Sequence, residues 1–72
     1  MPTMIEKIAM SILTREGIGA IWRLHMAAAD AHRSGHFRSA AAILEIAEAA
    51  EEAWMSARER LTERLIAIEA HR

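Results

Sequence analysis

Cysteine is absent from this 72-residue chain, and the only aromatic residues are two tryptophans and one phenylalanine. Without cysteine the chain has no disulfide and no thiolate metal site, and a reducing, cytoplasmic setting is favoured. Much of the 53% apolar fraction is alanine, which packs closely but buries little area per residue. A core built from such residues in so short a chain is small, so we expect help from a second chain.

The sequence also lacks a strong net charge and a long apolar run. Its formal net charge is −1, whereas free-standing nucleic-acid binders are usually strongly basic. The first residues carry Glu6 and Lys7 instead of a basic leader and an apolar run, so we expect no secretory signal. The most apolar later stretch, residues 18–31, contains charged residues and is too short to span a bilayer. We therefore expect a cytoplasmic protein without membrane contact, and the excess of arginine over lysine is typical of a GC-rich bacterial genome.

Apolar residues at helical spacing run through nearly the whole chain, which predicts a single all-α domain over residues 1–72. The first helix is expected over about residues 4–15, where Thr3 and Glu6 fit a capping box. Gly17 and Gly19 then weaken any helix by about 1 kcal/mol each. We expect a break at these glycines, and one continuous, kinked helix is the alternative.

The second helix is expected over about residues 18–33 and ends at Ser34 and Gly35, because glycine suits the left-handed conformation that follows a helix end. Its apolar residues occupy more than one face, so it should be buried on more than one side. Trp22, on this helix, is expected to lie in the core of the fold. Because the turn that follows is short, this helix should pair with the next one as an antiparallel hairpin.

The third helix, about residues 37–70, contains no glycine or proline and would be about 50 Å long. Its heptad-like seam comprises Ala40, Ile43, Ala47, Ala50, Trp54, Ala57, Leu61, Leu65 and Ile68. The second helix is half as long, so we expect the first helix to lie along Leu61, Leu65 and Ile68. Two helical layers cannot enclose the seam. The predicted fold is therefore a helical hairpin with a long C-terminal helix and a short N-terminal helix, assembling as a dimeric helical bundle.

The dimer interface is predicted on the third helix. Tryptophan is enriched at interaction hot spots, which places Trp54 and its neighbour Met55 near the centre. The full predicted interface is Trp54, Met55, Ala47, Ala50, Leu61, Leu65 and Ile68.

The charges of the third helix favour an antiparallel pair. An acidic block precedes a basic block; the two are Glu45, Glu48, Glu51 and Glu52, then Arg58, Arg60 and Arg64. In an antiparallel dimer that crosses near Trp54 and Met55, acid faces base, whereas a parallel dimer sets like charges together. The alternative is that both blocks are solvated and complement the helix dipole.

No pattern indicates catalysis, a cofactor or a metal. The four histidines lack partners with zinc-ligand spacing, and the glutamates lack the Glu-x-x-His spacing of di-iron bundles; the histidines are His25, His32, His36 and His71. We expect a non-enzymatic protein whose histidines are hydrogen-bonded core or turn residues. The turn between the second and third helices carries a predicted basic tip, comprising Arg23, Arg33, His36 and Arg38. Such a tip suits a phosphate, nucleic acid or an acidic protein, and a solvated helix end is the alternative.

One segment resembles a tetratricopeptide-type hairpin. It follows the pattern Ala28-x6-Gly35-x-Phe37-x2-Ala40-x3-Leu44-x2-Ala47. The resemblance covers about twenty residues in a single copy, and it implies that small residues let two helices approach while the glycine makes the turn.

Two functions are consistent with these features. The first is a non-enzymatic interaction module that forms an antiparallel homodimer or docks on a larger protein as an adaptor or inhibitor. The second is a small dimeric nucleic-acid-associated regulator that uses the basic tip. A steep salt dependence of binding would distinguish the second from the first.

Overall fold

Three helices make up the computed structural model, which describes residues 1–70 of the chain. Helix α1 spans Met4–Glu16, α2 spans Gly19–Arg33 and α3 spans Phe37–Ala70. The predicted helix bounds differ from these by one residue at most. The predicted all-α class is confirmed, with no strand among the described residues, and His71 lies outside them.

The ends of the helices follow from local chemistry. The Thr3 hydroxyl oxygen accepts a hydrogen bond of 3.1 Å from the Glu6 amide, as the capping pattern predicts. Gly17 has φ 77° and ψ −174°, a region that only glycine adopts readily, so α1 and α2 are separate helices. Gly35 has φ 83° and lies in the short turn before α3.

Helix α2 packs antiparallel on the first part of α3, and this is the most extensive contact in the fold. Near the turn His32 meets Phe37, and farther from it His25 contacts Glu51. Helix α1 packs mainly on α3 and scarcely touches α2. The first part of α3 is therefore the common support of both shorter helices.

The core of residues 1–70 consists entirely of alanine. The buried residues are Ala9 in α1, Ala20 and Ala28 in α2, and Ala40, Ala47 and Ala50 in α3. No large side chain among the described residues is fully buried. Small side chains let helix backbones approach closely, which is what the tetratricopeptide-type resemblance implies for α2 and α3. Each alanine contributes only about 0.8 kcal/mol of methyl burial, so this core is weak.

The described chain is a rod of 57 × 24 × 17 Å, and α3 alone, at about 51 Å, accounts for nearly all of its length. Residues 57–70 of α3 are all exposed, because α1 and α2 pack on the part of α3 that precedes them. We call residues 57–70 the overhang and residues 37–56 the covered half. The expectation that α1 covers Leu61, Leu65 and Ile68 is wrong, since each is more than half exposed.

The assignment of Trp22 to the core is also wrong, because 69% of this residue is exposed. Trp22 lies between Ile18 and Met26 at four-residue spacing, and the three form an exposed stripe along α2 that begins at the residue before the helix; we call it the α2 stripe. The buried side of α2 carries the small residues Ala20 and Ala28, which allow a close helix contact. The large Trp22 side chain lies on the exposed side of α2 instead.

Candidate functional site: the exposed end of α3 and the groove beside α1

The overhang carries the most concentrated exposed apolar surface of α3. Leu61, Leu65, Ile66 and Ile68 are exposed by 58%, 56%, 62% and 57%, respectively. Three of them, Leu61, Leu65 and Ile68, continue the seam that is buried farther up the same helix at Ala47 and Ala50. The seam thus runs from a part covered by the chain itself into a part that no described residue covers.

The predicted interface residues therefore divide into two groups. Ala47 and Ala50 have 0% exposure and lie against the chain's own helices, so their side chains offer no surface to a partner. Trp54 is half-buried and Met55 is 56% exposed, at the end of the covered half. The Arg58 guanidinium lies 5.5 Å from the centre of the Trp54 ring, a cation–π contact along the same helix.

A groove separates α1 from the outer side of α3. Its apolar walls include Ile5, Met10 and Leu13 from α1, and Ala49 and Ala53 from α3. Its volume of about 780 Å³ admits several side chains, and it ends at Arg60. Sequence reasoning missed this groove because it placed α1 farther along α3. The only signal in the sequence was that alanines and glutamates of α3 recur every three or four residues, which places them on one face of the helix.

The rim of the groove is acidic. Glu6 of α1 and three glutamates of α3 line it; those of α3 are Glu45, Glu48 and Glu52. Glu51, the fourth member of the predicted acidic block, instead pairs with His25 of α2. Within residues 1–70, the three rim glutamates of α3 form no ion pair, and neither do Arg60 and Arg64. These five charges are therefore available to a partner.

The predicted basic tip is not a single cluster. Arg23 lies about 15 Å along α2 from Arg33 and forms an ion pair of 3.1 Å with Glu16 across the break between α1 and α2. Arg33 pairs with Asp30 within α2. His36 and Arg38 are exposed at the start of α3. Two of the three arginines thus already have a carboxylate partner.

Two of the three histidines that the structure describes contact neighbouring side chains, and the third, His36, is exposed in the turn. His25 contacts Glu51 between α2 and α3, and the His32 ring meets the Phe37 ring edge-on with centroids 4.9 Å apart. Among residues 1–70, no three side chains of the metal-ligand types His, Cys, Asp and Glu converge. None of the three described helices combines the length and apolar composition needed to cross a bilayer.

Comparison with known proteins finds no match for the chain among protein-family models, curated proteins or solved structures. A small helical fold by itself does not specify an activity, so the exposed surfaces of the chain are what indicate its function.

Proposed function

We propose that this chain is a non-enzymatic interaction module of a reducing cytoplasm and that it associates with a second copy of itself through α3. The overhang carries the proposal, because its four large apolar side chains lie on a helix that nothing else in the described chain supports. An unsupported helix of about fourteen residues is marginal in water. A partner that covers this surface stabilises the helix and removes apolar area from water.

The size of this effect is comparable with the cost of forming a dimer. Full burial of one leucine or isoleucine side chain contributes about 1.5–3 kcal/mol, and a two-fold dimer buries each contact twice. Leu61, Leu65 and Ile68 are already partly covered, so the six seam side chains of a dimer contribute about 5–10 kcal/mol, against about 4–15 kcal/mol of lost freedom on association. The same surface would serve for docking on a larger protein as an adaptor or inhibitor.

The charges support an antiparallel arrangement of the two α3 helices. Glu45, Glu48 and Glu52 on the covered half and Arg60 and Arg64 on the overhang form no ion pair within residues 1–70, and an antiparallel pair brings these opposite charges together. The overhang also carries Glu59, Glu63 and Glu69, which reduce this attraction. We do not extend the proposal to nucleic acid, because the ion pairs of Arg23 and Arg33 leave the basic tip with little free charge.

Sedimentation equilibrium across a range of concentrations tests the proposal. The wild-type chain should approach twice its monomer mass of 8.0 kDa as its concentration rises. The double variant Leu61→Gln/Leu65→Gln should raise the dissociation constant by at least about a hundredfold, because it removes about 3 kcal/mol or more of burial.

The matched control is Ile18→Gln/Met26→Gln, which removes two exposed apolar side chains from the α2 stripe instead. This control should leave the dissociation constant within about threefold of wild type, as is usual for substitutions outside the central contact of an interface. A wild-type chain that stays monomeric at high concentration would contradict the homodimer.

A further inference from the structure

We infer that the groove between α1 and α3 binds an amphipathic helix of a different protein, whose apolar stripe is flanked by lysine or arginine and lacks carboxylates. This adds to the proposed interaction module a second contact surface, separate from the overhang. Glu52 and Ser56 of the groove lie about 140–180° around α3 from Leu65 of the overhang. A helix in the groove therefore leaves the apolar side chains of the overhang uncovered.

The dimensions of the groove suit a helix. Its α3 wall runs from Glu45 to Arg60, a distance of about 22 Å along the helix axis, which is the length of a helix of about fifteen residues. Its volume of about 780 Å³ takes the side chains of one apolar stripe, which would contact Met10 and Leu13 on one wall and Ala53 on the other. Amphipathic helices bind apolar grooves through such stripes.

The charges of the rim select a cationic partner. Four carboxylates and a single guanidinium line the groove; they belong to Glu6, Glu45, Glu48, Glu52 and Arg60. None of them forms an ion pair within residues 1–70. The three glutamates of α3 are three and four residues apart, a spacing at which like charges destabilise a helix. Lysines or arginines of a partner helix would neutralise them, whereas a nucleic acid, an anionic membrane or an acidic protein would be repelled.

The described helices of a second copy do not have this chemistry. The overhang and α1 each carry as many carboxylates as basic side chains, so neither is cationic. The overhang residues in phase with the groove wall form no apolar stripe; they are Arg60, Glu63, Arg64 and Ala67. The α2 stripe is apolar, but the adjacent Arg23 already pairs with Glu16. The occupant is therefore assigned to another protein.

Fluorescence anisotropy with a labelled synthetic peptide tests this inference. The probe is a peptide of about fifteen leucines, lysines and alanines, with one leucine stripe at helical spacing and lysines on both sides of it. At about 0.15 M salt one peptide should bind per chain, with saturation below about 1 mM. Replacing its lysines with glutamate, or its leucines with alanine, should weaken binding at least about tenfold, because the groove combines acidic and apolar surfaces.

Charge reversal on α3 locates the bound peptide. Glu48→Arg/Glu52→Arg should weaken binding at least about tenfold, because it turns attraction into repulsion at two exposed positions of the rim. The matched control is Glu59→Arg/Glu63→Arg, which makes the same change at the same spacing in the exposed overhang, outside the groove. It should bind within about threefold of wild type, since salt screens distant charges. Equal losses would show that the peptide responds only to net charge, and the inference would be wrong.

Two methionines of α1 test the apolar wall. Met10 lines the groove and is 49% exposed, whereas Met4 is 77% exposed and lies outside the groove. Met10→Gln should weaken peptide binding about fivefold or more, and Met4→Gln should change it by less than about twofold. An unchanged affinity for Met10→Gln would contradict a peptide that lies between α1 and α3.

The outcomes separate this inference from the proposed dimer. In that dimer Arg64 of the second copy meets the same glutamates, so the Leu61→Gln/Leu65→Gln variant should bind the peptide at least as tightly as wild type. Lost binding in this variant would place the peptide on the overhang instead. If sedimentation shows a dimer but the groove variants bind the peptide like their controls, the inference is wrong and the dimer stands. If the chain stays monomeric but the groove variants lose binding, the dimer is wrong and the inference stands.

Discussion

The covered half of α3 and its overhang follow the same seam, yet they have opposite surroundings. In the covered half the seam residues Ala40, Ala47 and Ala50 are buried against α1 or α2, and Ile43 and Trp54 are half-buried. In the overhang the seam is built on Leu61, Leu65 and Ile68, all exposed. Both parts have helical, heptad-like spacing, so spacing does not distinguish them. The covering helices do, because α1 and α2 pack on the covered half and not on the overhang. Where the covering is closest the seam residue is alanine, which lets a neighbouring helix approach, whereas Leu61, Leu65 and Ile68 have large side chains that remain to be covered.

The largest expected effect comes from making the covered half resemble the overhang. Ala50→Leu inserts a large side chain where no space is left, which should destabilise the fold by about 3 kcal/mol. The matched change in the overhang, Ala70→Leu, should alter the free energy of unfolding by less than about 0.5 kcal/mol. Urea unfolding of both variants at one fixed concentration measures the difference. Equal losses would show that the two parts of α3 are not packed differently.

A smaller effect on the free energy of unfolding is expected from changing the turn that holds α1 against α3. Gly17→Ala forces a side chain into the backbone conformation at φ 77° and ψ −174° and should cost about 2 kcal/mol. Gly19→Ala is the control, since Gly19 is helical and an added Cβ would meet only the flexible Arg23 side chain at 3.3 Å. It should be neutral or stabilise by up to about 1 kcal/mol. Thermal unfolding compares the two, and a larger loss for Gly19→Ala would contradict the assigned turn.

The smallest effect concerns the charge pattern of the overhang and rests on the proposed antiparallel dimer. Arg64→Gln removes an arginine that forms no ion pair within residues 1–70 and that would meet the partner's acidic block, so it should weaken the dimer about two- to fivefold at low salt, as expected for one surface charge pair. Glu69→Gln removes a carboxylate from the same part of α3 and should weaken the dimer by less than about twofold. Both differences should vanish at about 1 M salt, where such charges are screened. A weaker dimer for Glu69→Gln than for Arg64→Gln would contradict the antiparallel pairing of charges.

The helices themselves could be predicted closely from the sequence. The Thr3 cap, the break at Gly17 and the turn at Gly35 are short-range signals that depend on a few neighbouring residues, and all three are present in the structure. The long α3 follows from an uninterrupted run of helix-forming residues. Such signals are local and need no knowledge of the rest of the fold.

The neighbours of each helix could not be predicted in the same way. The spacing of apolar residues identifies the apolar face of a helix but not what covers it, so Trp22 was assigned to the core and Ala47 and Ala50 to the interface. The placement of α1 depends on a few backbone torsions around Gly17, which no residue pattern specifies. The groove arises only once α1 is in place, so it could not be found from the sequence.

The all-alanine interior has one more consequence, for how this protein should respond to its own concentration. No large apolar side chain of residues 1–70 is fully removed from water when the single chain folds, and many remain exposed for a contact between chains. Dimer formation would then supply much of the free energy of the native state, as in obligate homodimers. Diluting the sample should therefore lower its melting temperature, because fewer chains are paired at low concentration.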